Sequence, residues 1–454
     1  MRSSSLLIRG GRIIDPGDGV DMVGDLLIVG GVVAWIGEGG GAPQAPAGDV
    51  LIAAGMIVTP GFIDLHCHLR EPGFEDKETV ASGTEAAARG GFTSVCCMPN
   101  TCPPIDTAAM VEFVKSKADF EGRVRVFPIG CITRGQQGEQ LTDMNGLAEA
   151  GVVAFSDDGK AVPSSHLMEK ALECGCRLDL PIIDHCEDIL LTAGGVMNDG
   201  SLATRLGLRG MPAAAEESLV ARDIELARVT GARIHIAHVS TAGSVDLIRR
   251  ARQDYVHVTA EATPHHLVLT EERVNGYDTK AKVNPPLRTG GDAEAVIRGL
   301  KEGVIEAIAT DHAPHTAEDK ASEFKSAAFG ISGLETALGV LLSLVHQGKL
   351  DLPTLIERLT VGPARVLQSR GRFYASAVAA TVPGGLGTLR IGATGDVTVF
   401  DPHLEWKVDP ALFASKGKNN PWAECLLEGK VMATVLEGKV VHKDERITIE
   451  ERRN

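Results

Sequence analysis

The sequence predicts an α/β chain: a TIM (β/α)8 barrel carrying a small β-sandwich domain built from both chain termini. Three observations predict it. Eight short apolar runs alternate with helix-type stretches between residues 62 and 311. Several of these runs end in a histidine or an aspartate. The two ends of the chain carry short β-type runs punctuated by glycine. Strands of a parallel barrel are buried on both faces and so read as apolar runs, and their chemistry gathers at their carboxyl ends.

The strand candidates are 62–68, 94–98, 124–129, 152–155, 181–185, 233–238, 256–261 and 307–311. Between them, 78–89, 107–118, 165–174, 213–229, 244–252 and 293–302 have helical spacing or helix-forming composition. A doubly wound sheet alternates in the same way but collects its site at one switch point. Here candidate ligands come from strands one, four, five, six and eight, which favours the barrel.

At 454 residues the chain exceeds the roughly 250 residues typical of one barrel, and its ends supply the excess. Runs 6–8, 25–29, 32–36 and 51–52 precede the barrel, and 396–400, 424–427, 430–436 and 439–442 follow it. The expected boundaries are therefore 1–58 and 371–454 for the two parts of the β domain and 59–370 for the barrel. The stretch around Gly39-Gly40-Gly41 and 43–46 reads as a loop, and 371–385, with Pro383-Gly384-Gly385, as an irregular connection.

A net charge of −15 and a pI near 5.4 argue against a nucleic-acid partner, since no lysine or arginine cluster offers phosphate neutralisation. No leader of signal type and no apolar stretch approaching ~20 residues is seen, so no membrane association is expected and the cytoplasm is the expected location. The nine cysteines are scattered; Cys96-Cys97 and Cys174-x-Cys176 lack the two-residue gap of zinc ribbons and redox motifs, so most are read as reduced core residues.

The chemistry starts at His66-x-His68, directly after the apolar run 61–65. Residues i and i+2 of a strand share a face, so both imidazoles reach one point while Cys67 faces away. His185, His238 and Asp311 each lie at the end of another apolar run. Imidazole and carboxylate donors of this kind suit a transition metal such as zinc.

The stretch Val58-Thr-Pro-Gly-Phe-Ile-Asp-Leu-His-Cys-His-Leu-Arg-Glu-Pro-Gly73 resembles the first strand and loop of the bacterial class I dihydroorotases, within the amidohydrolase superfamily. Further blocks follow in order: Met98-Pro-Asn-Thr101, Phe155-Ser-Asp-Asp-Gly-Lys160, Asp184-His-Cys-Glu-Asp188, Ala237-His-Val-Ser-Thr241, Ala262-Thr-Pro-His-His266, Lys282-Val-Asn-Pro-Pro-Leu-Arg288, Thr310-Asp-His-Ala-Pro-His315 and Phe329-Gly-Ile-Ser-Gly-Leu-Glu335. The Arg70, Asn100 and Asn284 blocks separate this family from hydantoinases and allantoinases.

The resemblance implies reversible, zinc-dependent hydrolysis of (S)-dihydroorotate to N-carbamoyl-L-aspartate, a step of pyrimidine biosynthesis. It implies His66, His68 and Asp311 around one zinc, His185 and His238 around a second, and Asp157 as the bridging carboxylate. Much of the superfamily uses a carboxylated lysine as the bridge, and the shorter aspartate leaves one zinc or two as alternatives, with two preferred. Asp311 is also implied as the catalytic general base. His68, Arg70, Asn100, Asn284, His315 and the backbone at Phe329 and Gly330 are implied to bind substrate; a guanidinium such as that of Arg70 can hold a carboxylate through two hydrogen bonds. The competing readings are a surface salt bridge to Glu71 or Asp76 for Arg70, and turns beside Pro99 and Pro285 for Asn100 and Asn284.

His265 and His266 are read as structural or as supporting the ligands, His312, His235 and His257 as packing residues, and Cys186 as packing away from the metals. The loop between Asp311 and Phe329 is read as a surface excursion. The family association with aspartate carbamoyltransferase makes that enzyme a candidate partner, and a homodimer is the expected assembly. Alternatives to dihydroorotase activity are another cyclic amidase, of dihydropyrimidinase or allantoinase type, or a non-catalytic scaffold for aspartate carbamoyltransferase.

Overall fold

Buried strands alternating with helices close into a ring in the computed structural model, which describes residues 5–43, 48–368 and 381–452. Residues 371–380 of the expected connection and 44–46 of the expected loop lie outside the described residues. Phe62–Cys67, Phe92–Cys97 and Arg125–Pro128 form one parallel sheet. Ile182–Asp184, Ile234–Ile236, Val258–Ala262 and Ala307–Ile308 form a second.

The eighth position is filled without a strand. The run 152–155 lies between Gly151, left-handed at the end of a helix, and Ser156, and meets its neighbours through isolated bridges alone. Phe155 instead bridges Gly130 on one side and Ile182 on the other. Gly130 N–H donates to Ala154 O at 3.0 Å and Ile183 N–H to Phe155 O at 2.8 Å, so the gap between the sheets is spanned. The ring closes where Cys67 bridges His312 and His68 N–H donates to His312 O at 2.9 Å.

The helices Val80–Arg89, Ala108–Glu121, Ser165–Leu178, Ala213–Thr230, Ala242–Gln253 and Gly290–Lys301 surround this ring. Five of the six start at a threonine or serine whose hydroxyl accepts an amide hydrogen of the first turn: Thr79, Thr107, Ser164, Thr241 and Thr289. Each such cap is worth ~1 kcal/mol. Ala337–His346, Leu352–Leu359 and Val361–Leu367 complete the helical layer after the last strand.

The strands of the two termini form one nine-stranded sheet. Ser5–Asp15 is its spine, antiparallel to Val20–Val29 on one edge and parallel to Gly48–Ile52 and then Ile57–Pro60 on the other. Ile57–Pro60 pairs in turn with Val397–Lys407, which binds the two halves of the domain together. The sheet curls until its far turns meet: Gly395 N–H donates to Gly31 O at 2.8 Å and Gly438 N–H to Gly395 O at 2.9 Å. Leu6, Ile8, Leu26, Ile28, Val397, Val399 and Val435 fill the enclosed core. Val399 points into this core, and its neighbour Phe400, on the opposite face of the strand, lays its ring against Phe62 of the barrel, with centroids 6.2 Å apart. Adjacent strand residues face opposite sides, so this one strand ties the two cores together.

Between Val397–Lys407 and Leu426–Leu436 the chain leaves the β domain and packs on the barrel mouth. Ser415 and Lys416 bond to Glu78, and Asn419 accepts from His315 N–H at 2.9 Å while donating to Ala313 O and Gly330 O. The C-terminal part of the chain therefore contributes to the walls of the site as well as to the β domain.

Candidate active site

Four imidazoles and two carboxylates meet at the carboxyl ends of the barrel strands. His66 Nε2 lies 3.3 Å from Asp158 Oδ1 and 3.6 Å from Asp311 Oδ1. His68 Nε2 lies 3.1 Å from Asp311 Oδ1 and 3.6 Å from Asp158 Oδ2. His185 Nδ1 is 2.8 Å from His238 Nε2, and both are 3.7 Å from Asp158 Oδ1. His238, Asp311 and Arg70 have φ of 32°, 45° and 62°. This left-handed backbone costs a non-glycine residue ~1–3 kcal/mol and clusters at functional sites. Here it occurs where the chain leaves a barrel strand and turns a side chain toward the common centre.

The carboxylate among the histidines belongs to Asp158 and not to Asp157, which corrects the sequence reading by one residue. Asp157 turns the other way and clasps a neighbouring loop: it accepts Ile132 N–H at 2.9 Å, Thr133 N–H at 3.1 Å and the Thr133 hydroxyl. Burial raises its pKa to about 6 against these hydrogen bonds. Because 152–155 builds no strand, the two-residue period does not run on through 157 and 158. The unpaired loop amides of Ile132 and Thr133 decide which aspartate faces which way.

The outward nitrogen of three imidazoles is tied to an acceptor, which aims the other nitrogen inward. His66 Nδ1–H donates to Glu261 Oε1 at 2.8 Å, His68 Nδ1–H to Asn100 Oδ1 at 2.9 Å, and His185 Nε2–H to Glu187 Oε2 at 2.9 Å. Such outer acceptors fix tautomer and ring orientation in metal sites. Burial disfavours the charged forms of Glu187 and Glu261, yet the histidines they hold bring both carboxyls down to about 2. Asp158 and Asp311 are likewise held below the usual carboxylate range, against burial, by the surrounding histidines. Four buried or nearly buried carboxylates around four imidazoles demand compensating positive charge. His66 Nε2 and Asp158 Oδ1 are buried and have no hydrogen-bond partner among the described residues. The donor set and these two orphaned atoms fit a metal centre.

A cavity of about 270 Å³ opens on this cluster. Its walls include every residue expected to bind substrate, namely His68, Arg70, Asn100, Asn284, His315, Phe329 and Gly330, together with Asp158, His185, His238 and Asp311. Arg70 Nε donates to Pro314 O at 3.3 Å, which steadies the guanidinium, and the surface salt bridge to Glu71 or Asp76 is absent among the described residues. Asn284 Nδ2 donates to Glu187 Oε2 at 2.8 Å, so the acceptor that orients His185 also holds a cavity residue. His315 Nε2–H donates to Phe329 O at 2.8 Å. At Gly330, φ is 141° and a Cβ would lie 2.6 Å from Ala313 O, so only glycine keeps this wall in place.

The 312–328 segment is more than a surface excursion. It contains the helix Ala317–Ala321, and two buried lysines pin it. Lys320 Nζ donates to Lys282 O, Ala328 O and Gly330 O at 3.3, 2.8 and 2.9 Å. Lys282 Nζ donates to Phe324 O, Lys325 O and Ala327 O at 2.7, 3.1 and 2.6 Å. Glu187, Glu261 and both lysines escape sequence reasoning. A lysine in a charged stretch such as 318–325 reads as solvated, and the only available signal was the position of Lys282 two residues before Asn284.

The remaining histidines lie outside the cluster. His266 donates through Nε2 to Pro285 O at 2.9 Å, His312 contacts Glu78 at 3.2 Å, and His235 contacts Glu261 at 3.1 Å. Cys186 is buried on the far side of its backbone from His185, with Sγ 3.5 Å from Asp184 and 3.6 Å from Asp223.

Residues 55–244 match the dihydro-orotase-like family. A dihydroorotase of Citrifermentans bemidjiense is 50% identical over 442 residues, covering 97% of this chain and 100% of its own. One of Pelotomaculum thermopropionicum is 51% identical over 443 residues, covering 97% and 99%. The chain belongs to the dihydroorotase family. Among solved structures, this dihydroorotase-family chain is similar to the L-hydantoinase (dihydropyrimidinase) of Arthrobacter aurescens, with a TM-score of 0.85, 24% identity and coverage of 99% and 98%. It is also similar to the dihydropyrimidinase of Brevibacillus agri, with a TM-score of 0.80, 23% identity and coverage of 97% and 95%. At these identities the likeness is one of fold, a barrel with an attached β domain. Among the described residues of this family member no helix is long and apolar enough to cross a membrane.

Proposed function

We propose that the chain hydrolyses (S)-dihydroorotate to N-carbamoyl-L-aspartate, reversibly, at this cavity. The observation that carries the proposal is the placement of Arg70 and the histidine–aspartate cluster on one cavity wall system. His66, His68 and Asp311 would hold one zinc ion, and His185 and His238 a second, with Asp158 between them. The two-ion reading rests on the position of Asp158, within 3.7 Å of a nitrogen of each of the four histidines. Bound zinc supplies Lewis acidity, which lowers the pKa of water to about 7 and draws charge from a carbonyl oxygen.

The residues of the chain divide the remaining work. Arg70 holds the ring carboxylate, and Asn100, Asn284 and His315 offer polar contacts to the ring. The pinned backbone at Phe329 and Gly330 fixes the ring amide. Asp311, kept ionised by His68 and His66, accepts the proton of the attacking water. It returns that proton to the ring nitrogen as the amide C–N bond breaks, and the carbamoyl nitrogen leaves neutral. Ring closure runs the same path backward.

A cyclic amidase of dihydropyrimidinase type would keep the cluster without needing Arg70, and a scaffold would not need the donors to converge. Association with aspartate carbamoyltransferase rests on the family resemblance, while a homodimeric assembly and a cytoplasmic location are expectations from the sequence. The test is turnover of L-dihydroorotate by the zinc-loaded chain beside dihydrouracil. Turnover of dihydroorotate alone is expected; turnover of dihydrouracil alone, or of neither, overturns the proposal.

A further inference from the structure

A second group of metal-type donors lies outside this cavity, where the barrel meets the β domain. His346 is the last residue of the helix Ala337–His346, His403 lies on the strand Val397–Lys407, and Glu428 lies on the neighbouring strand Leu426–Leu436. His403 Nδ1 is 3.0 Å from Glu428 Oε1 and His346 Nδ1 is 3.4 Å from Glu428 Oε2. The two imidazoles stack with centroids 5.7 Å apart and planes at 23°. One donor atom from each of the three residues lies within 4.8 Å of the other two. Donors on a tetrahedral zinc at ordinary bond lengths sit about 3.3 Å apart, so the spacing needs only small adjustments.

The electrostatics favour a cation at this place. Glu405 is the direct cross-strand partner of Glu428, and like charges so placed repel. Among the described residues no lysine or arginine pairs with either carboxylate: Lys407 pairs with Glu424, Lys430 with Asp444 and Arg12 with Asp21. The carbonyl end of the helix adds its negative dipole at His346. His346 and His403 also border a cavity of about 320 Å³ that shares no wall residue with the substrate cavity.

We propose that His346, His403 and Glu428 form a second, non-catalytic binding site for a first-row divalent transition metal, with Zn2+ the expected ion. Two imidazoles and a carboxylate suit zinc and its neighbours better than magnesium or calcium. Bound there, the ion joins a helix of the barrel layer to two strands of the β domain.

Equilibrium dialysis of the zinc-loaded protein against micromolar free zinc, with metal counted per chain, tests the site in wild type, His403→Ala and Glu428→Gln. Wild type should carry one zinc more than either variant. Turnover should be equal in all three, and a parallel dialysis against calcium should show no difference in bound calcium among them. Equal zinc counts in the three proteins overturn the proposal, and so does a variant that loses turnover together with zinc, since the site would then not be separate from the catalytic one. His403 is largely exposed, and Glu428→Gln keeps the shape of the side chain, so folding is not at stake in either variant.

Discussion

Asp158 Oδ1 lies 3.3 Å from His66 Nε2, and neither buried atom has a hydrogen-bond partner among the described residues. Asp157, one residue away, is fully engaged with Ile132 and Thr133. The two aspartates therefore fail differently when neutralised. Asp158→Asn should lower bound zinc and reduce turnover by more than about 100-fold, since ligand loss exceeds the usual effect of an outer partner. Asp157→Asn should retain zinc and lose stability, by about 1–3 kcal/mol, because a loop amide or hydroxyl loses its acceptor. Metal counting and urea denaturation on both variants separate them; zinc loss in Asp157→Asn instead would return the bridging place to that residue.

This pair also marks where the sequence stops being legible. His66, His68, His185, His238 and Asp311 each end an apolar run, and a barrel brings such ends to one place whatever the details of its helices. The choice between two adjacent aspartates depends on a segment that bridges its neighbours at Phe155 without forming a strand, so no period selects the inward one. Lys282 and Lys320 are hidden for another reason: backbone carbonyls from a folded-back loop accept their protons, and no local pattern announces that convergence. In the β domain the individual strands show in the sequence, but the pairing of Ile57–Pro60 with Val397–Lys407 joins residues more than 300 apart. Only the closed core specifies it.

Glu187 and Glu261 accept the outward protons of His185 and His66 and are predicted to govern metal affinity without touching the metal. Glu261→Gln and Glu187→Gln should each weaken zinc binding about 10–100-fold, as loss of an outer acceptor does in such sites. Glu187→Gln should in addition raise KM, because Asn284 loses the same partner. Zinc affinity measured against a chelator, together with KM at saturating zinc, checks both statements. Unchanged affinity in both variants would show that the rings are held by packing alone.

Arg70 is the cavity cation assigned to the substrate carboxylate. Removing a charged hydrogen-bonding group costs about 1.5–3 kcal/mol, so Arg70→Met should lower kcat/KM for dihydroorotate by about 10–100-fold with zinc content intact. Any residual turnover of dihydrouracil should not fall, since that ring lacks the carboxylate. An equal loss on both rings would make Arg70 a structural residue of the loop.

Lys282 and Lys320 hold the backbone that forms the Phe329–Gly330 wall. Burial brings Lys282 down to about 8; burial, with Lys282 close by, brings Lys320 down to about 7. Lys320→Met would leave Ala328 O without its donor and take one of two donors from Lys282 O and Gly330 O, and should cost about 1–3 kcal/mol. It should also raise KM while leaving the zinc count unchanged, because His66, His68, Asp158, His185 and His238 come from other strand ends and Asp311 precedes the pinned segment. Denaturation and steady-state kinetics read the two effects, and loss of zinc in Lys320→Met would show that the loop and the metal cluster fold as one unit.

Glu335 offers a pH test remote from the metal cluster. Burial raises its carboxyl to about 7, although Ala414 N–H at 2.9 Å and Ser415 N–H at 3.3 Å donate to it and Arg89 lies 3.9 Å away. The folded protein thus binds a proton that the unfolded chain releases near its ordinary pKa of 4.5. Its stabilising contribution is full below that value and is lost as pH rises through about 7, where the buried charge must form. The upward shift corresponds to about 3 kcal/mol at most. Glu335→Gln, which carries no charge and keeps an acceptor for one of the two amides, should exceed wild type in stability near pH 8, and by more than it does near pH 4.5. Denaturation midpoints of the two proteins across this range test the sign directly; a variant that is less stable at the alkaline end would mean that Arg89 holds Glu335 in its charged form.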